Sequence, residues 1–156
     1  MLRTGALSMR ISSPFARLQQ LGWRQRLLLA DAFASLAMAS AVIKLVPFRH
    51  AVKWGARRVD ASRHGDPTRL VGELRWGIEA AARRVPWRTV CFQKGVALQS
   101  MLRRRGIDAR LHYGVRYEPS EKLEAHVWVA TADAIVIGGE QATNFEVVAI
   151  FPPQGT

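Results

Sequence analysis

At Ile107 the apolar pattern of this chain changes period, and that change limits the possible folds more than any other feature. Ile107, Ala109, Leu111, Tyr113, Val115 and Tyr117 alternate with Asp108, Arg110, His112, Gly114 and Arg116. A period of two belongs to a strand with one buried face. Residues 123–130 predict a second strand with His126 and Trp128 on one face. A turn at Thr131-Ala132-Asp133 leads to a third at 134–137, and 145–151 gives the last. Upstream of Ile107 the spacing is helical. Helices followed by an antiparallel sheet make an α+β fold.

Residues 1–14 hold no sustained periodicity and end at Pro14, so they are expected to form a flexible tail. Helix is expected from near Phe15, with Leu18, Leu21 and Leu28 in approximate register and Gly22 as a break. A second helix covers 24–45 and stops before Pro47, and 48–60 forms a short basic helix with Val52, Ala56 and Val59 on one face. Beyond a turn at 63–67, Asp66 or Thr68 caps a helix running to about Arg84, with Leu70, Trp76 and Ile78 as core. Thr89 opens the next helix, which carries Cys91 in its first turn and ends at Arg103, Arg104 and Arg105. Gly106 follows as its C′ residue, and the three cations complement the negative end of the dipole. The expected organisation is a tail at 1–14, a helical part at 15–62 and a core at 63–156.

A chain of 156 residues suits one domain with a helical appendage. With one Cys, neither an intrachain disulfide nor a CxxC site is available, and a reducing cytoplasm is the expected location. The formal charge of +11 is uneven. Residues 1–63 carry 11 Lys/Arg against 2 Asp/Glu, residues 64–110 carry 10 against 4, and residues 111–156 carry 2 against 6. A basic surface of this kind suits nucleic acid, anionic lipid or an acidic protein. Nucleic acid is not expected, because no long Arg/Lys block and no interleaved aromatic platform is present. The apolar stretch 27–46 is interrupted by Asp31 and Lys44, leaving twelve uncharged residues, too few to span a membrane, so it reads as a buried helix. Its position after about thirty residues with several arginines does not match a secretory signal.

Cys91 carries the chemical signal. A thiol at a helix N-terminus feels the positive end of the dipole and unpaired backbone N–H groups, which favour thiolate and are able to hold an oxyanion. His126 follows 35 residues later on a strand. A helix-borne Cys, a strand-borne His and an orienting group on the next strand are the parts of a thiolate–imidazolium nucleophile.

The runs Cys91-Phe92-Gln93-Lys94-Gly95-Val96-Ala97-Leu98, Leu102-Arg103-Arg104-Arg105-Gly106-Ile107-Asp108-Ala109, Gly114-Val115 and Ala125-His126-Val127-Trp128-Val129 resemble the transglutaminase-like leader peptidases of lasso-peptide biosynthesis. Arg24-Gln25-Arg26-Leu27-Leu28-Leu29 and Leu45-Val46-Pro47-Phe48-Arg49 are similar to the helical N-terminal part of the stand-alone form. The resemblance implies a papain/transglutaminase-like core, with the Cys-bearing helix packed on an antiparallel sheet. It implies a cytoplasmic cysteine peptidase that removes the leader from a ribosomally made precursor peptide. A separate small leader-binding protein would present the substrate, and a macrolactam-forming cyclase would act afterwards. Cys91 would attack the scissile carbonyl, and His126 would take the thiol proton and return it to the leaving amine.

In that family the acid lies on the strand after the His, and the nearest downstream acids here are Asp133 and Glu140. With a turn centred on Ala132, Gly138 lies opposite His126 and Glu140 is its diagonal neighbour, about 7–8 Å away. Asp133 then sits at the hairpin tip, roughly 16 Å along the strand. Cys91, His126 and Glu140 are therefore the expected catalytic residues. A one-residue change in the turn would flip this parity, and Gln141 or Asn144 would orient an imidazole without charge. His112 reads as an exposed polar position and His50 and His64 as surface, while Trp128 either walls the site or fills the core. No cluster has metal-ligand spacing and no Gly-rich phosphate loop occurs, so no metal and no cofactor is expected, and Gly138-Gly139 reads as a bend. Two other functions stay open: a non-catalytic peptide-binding module of the same fold, and amide transfer in place of hydrolysis.

Overall fold

The computed structural model describes residues 21–56, 67–117 and 122–153. The tail, the helix start at Phe15, the Asp66 cap, His64 and the end of the short basic helix lie outside them.

Helix α1 spans Trp23–Leu45. Val46 then turns extended, with φ −128° and ψ 140°, as a residue preceding proline must. Helix α2 spans Phe48–Gly55, and its Val52 is fully buried. Helix α3 spans Pro67–Ala82 and buries Leu74, Ile78 and Ala81. Trp76 is 38% exposed, contrary to the core role expected of it. Its position two residues after Leu74 turns it about 200° from that inward face.

Helix α4 spans Cys91–Arg103 and is the centre of the molecule, with every residue from Gly95 to Arg103 buried. It packs against α1, α2 and α3 on its helical side and against the sheet on the other. The sheet side is possible because of Gly95. A Cβ there would lie 3.3 Å from Val127 and 3.4 Å from Leu111, so the helix rests almost in contact with the strands. At its C-terminus Gly106 takes φ 72°. Its N–H donates to Arg103 O, and the Ile107 N–H donates to Leu102 O, at 3.0 and 3.1 Å. This pair of bonds stops the helix with its last carbonyls satisfied. Asp31 of α1 receives Arg104 at 2.8 Å and Arg105 at 2.7 Å, tying the first helix to that end.

Strands β1 (Arg110–Tyr117), β2 (Leu123–Ala130), β3 (Ile135–Ile137) and β4 (Glu146–Phe151) form one antiparallel sheet in the order β3-β2-β1-β4. A 3₁₀ helix, Gly139–Asn144, joins β3 to β4. The α+β order read from the sequence is the order observed. Gln99, fully buried on α4, donates to Ala109 O and Phe151 O at 3.2 and 2.6 Å, so one amide fixes the helix to the start of β1 and the end of β4.

Candidate active site

Cys91 is the first residue of α4, one place closer to the helix start than expected, because the cap is Val90 and not Thr89. Val90 has no side-chain acceptor. The end is closed instead by Gln93, a buried residue whose Oε1 accepts from the Val90 N–H at 2.9 Å. Sequence reasoning missed this role of Gln93; a glutamine three residues into a helix, able to reach back to the cap, is the signal that would have found it. It holds the turn on which the thiol sits. Cys91 is half-buried and free, at the positive end of a 13-residue helix.

Along β2, Val127 and Val129 face α4 through Gly95. His126 and Trp128 occupy the alternate positions and point to the other face. There Trp128, Ala142 and Phe145 form a small second core. The His126 ring lies 6.1 Å from Trp128 and 5.1 Å from Phe145, centroid to centroid. Arg116 stacks over the outer side of Phe145 at 4.9 Å while its guanidinium holds Glu124 at 2.7 Å. Gly114 is the cross-strand partner of His126. A Cβ at that glycine would come within 2.9 Å of both the Trp128 ring and Phe145 Cβ, so the aromatic pair fits only over a bare backbone. Trp128 thus both fills a core and backs the histidine.

Nε2 of His126 lies 2.9 Å from the carbonyl oxygen of Gly138. A carbonyl only accepts, so Nε2 carries the proton and Nδ1 of the neutral ring is left as the basic nitrogen. Gly138 takes φ 79°, and a Cβ on it would meet Val127 O at 2.7 Å. Only glycine brings that carbonyl to this place. The expected bend is therefore real.

The pairing expected around Ala132 is not formed. Val129 pairs with Ile137 and Ala130 with Ile135, with an irregularity between them, and β3 ends at Ile137. The longer turn shifts Gly138 away from the position opposite His126, and the chain leaves the sheet before Glu140. Glu140 lies on the 3₁₀ helix, its side chain 75% exposed and its Oε1 3.7 Å from Arg75. Asp133 and Asn144 are exposed, and Gln141 is an exposed residue at the cleft. His112, expected to be exposed, is half-buried and stacked on Trp128 with centroids 5.5 Å apart. Burial, aided by the nearby Arg110 charge, lowers its pKa below 6.5. His50 is exposed as expected.

Cys91, His126 and Glu140 all line one cleft of about 450 Å³, together with Arg83, Lys94 and Gln141. It opens beyond the last β2–β3 pair. Among the described residues no hydrogen bond joins Sγ to the imidazole, which is common before substrate closes such a site. The same residues hold no grouping of three or more His, Cys, Asp or Glu suited to a metal ion.

A Cys-bearing helix laid against an antiparallel sheet defines the class. The family model of the transglutaminase-like superfamily matches residues 28–149, and the chain belongs to that superfamily. The superfamily includes cysteine peptidases, and its fold is commonly that of a cysteine hydrolase or transferase. No curated relative and no solved structure matches the chain.

Proposed function

We propose that the protein is a cysteine peptidase in which Cys91 is the nucleophile and His126 the general base. The supporting observation is that a thiol on the first turn of α4 and an imidazole fixed by Gly138 line the same cleft. Nδ1 takes the thiol proton, and Sγ adds to the scissile carbonyl. The Cys91 N–H, one of the helix N–H groups with no carbonyl a turn earlier, stabilises the oxyanion. The imidazolium then protonates the leaving amine, and water releases the acyl group from sulfur. Glu140 acts at the rim, where its charge faces the cleft and Arg75.

The substrate is proposed to be the leader-bearing precursor of a lasso peptide, delivered by a separate leader-binding protein in the cytoplasm and passed on to a macrolactam-forming cyclase. That part rests on the Cys91-to-Ala109 and Ala125-to-Val129 runs. The test is the rate of alkylation by iodoacetamide at neutral pH, in the native protein and in His126→Ala. Fast alkylation that slows in the variant is expected. Alkylation that appears only on unfolding would overturn the reading and leave a peptide-binding module. Cleavage of a leader-bearing precursor, lost in Cys91→Ala, tests the substrate, and an added amine captured in the product would indicate transfer.

A further inference from the structure

α1 has two apolar faces, and the protein covers only one. Leu29, Ala32, Leu36 and Ala39 are buried against the rest of the fold. On the opposite side Trp23 is 67% exposed, Leu27 62%, Met38 51% and Leu45 82%. At 100° per residue these four fall within a sector of about 60° that also takes in the exposed Ala34 and Ala41. A helix with apolar residues on two opposite faces belongs between two apolar environments. The stripe is edged by cations, Arg24 on one side and Arg26 and Lys44 on the other. Residues 1–59 hold ten Lys/Arg and a single acid, Asp31. Asp31 is already held by Arg104 and Arg105.

We propose that this face of α1 docks the protein on an anionic lipid surface, with the helix lying in the plane of the headgroups. The length and composition of α1 would also suit a spanning segment, but Leu29, Ala32, Leu36 and Ala39 along its other face are packed in the core of the fold, so it lies on the bilayer and does not cross it. Exposed Trp and Leu enter the acyl boundary while the flanking cations meet lipid phosphates. A second copy is a poor occupant, because a two-fold antiparallel pairing would set the Arg24 and Arg26 end of one helix beside Lys44 of the other. The surface is independent of the cleft and of the activity proposed for it.

The test is co-sedimentation of the full-length protein with phosphatidylcholine vesicles, with and without phosphatidylglycerol. Binding is expected only when phosphatidylglycerol is present, weakened by high salt. Leu27→Gln with Leu45→Gln is expected to weaken it about tenfold or more while leaving the thermal melt unchanged. Arg24→Gln with Lys44→Gln is expected to weaken it without altering the fold. Failure to sediment with the anionic vesicles at low salt would overturn the proposal, as would equal binding by the Leu27/Leu45 variant. A lipid-free dimer abolished by that variant would also overturn it, assigning the face to self-association.

Discussion

The His126 imidazole donates its Nε2 proton to the main-chain carbonyl of Gly138 at 2.9 Å, so a backbone oxygen does the orienting that a side-chain acid or amide was expected to do. The carbonyl is placed by a left-handed residue jammed against Val127 O. Gly138→Ala should therefore swing it away, at a cost of about 1–2 kcal/mol for the left-handed conformation alone. Alkylation of Cys91 at neutral pH should slow toward the rate in His126→Ala. Combining the two substitutions should produce no further slowing, which separates an effect on the histidine from general loosening.

Gly114→Ala tests the aromatic backing of the same ring. The added methyl meets Trp128 at 2.8 Å and Phe145 at 2.9 Å, and neither neighbour is the tip of a flexible chain. Overpacking of this sort costs about 1–3 kcal/mol. A lower urea midpoint is expected, with a drop in reactivity of Cys91 at neutral pH as His126 loses its seat. An unchanged midpoint would show that Trp128 has room to move.

Much of this was legible in the sequence because it rests on periodicity. β1 and β2 follow from alternation, and the C-terminal stop of α4 follows from Gly106 after three arginines. The orienting group of His126 was not legible. A backbone carbonyl leaves no side-chain signature, and the hairpin register depends on a turn whose irregular pairing at Val129 and Ala130 has no mark in residue type. His112 was misjudged because alternation on β1 tells faces apart but not whether the second face is covered. The 3₁₀ helix and Phe145 cover it.

Asp31→Asn should loosen the joint between α1 and the end of α4. The carboxylate holds Arg104 and Arg105 and also accepts from Ser35 at 3.5 Å, with about a third of each charged side chain exposed. Solvent screening limits such pairs to about 1 kcal/mol or less each. The urea midpoint should fall modestly in low salt, and the difference from wild type should shrink in high salt.

Stability should also fall on mild acidification, through His112. Burial is the larger cause of its lowered pKa and Arg110 the lesser, so the folded state resists protonation that the unfolded chain accepts from pH 6.5 downward. Below that value the unfolded state binds the extra proton. The stabilisation is thus complete above pH 6.5 and is lost progressively as the pH drops toward the lower, folded-state value. Urea midpoints measured between neutral pH and pH 5 should decline in the native protein. In His112→Phe, which keeps a flat ring against Trp128 without a titrating nitrogen, the decline should be shallower. Equal slopes would place the acid sensitivity in groups other than His112.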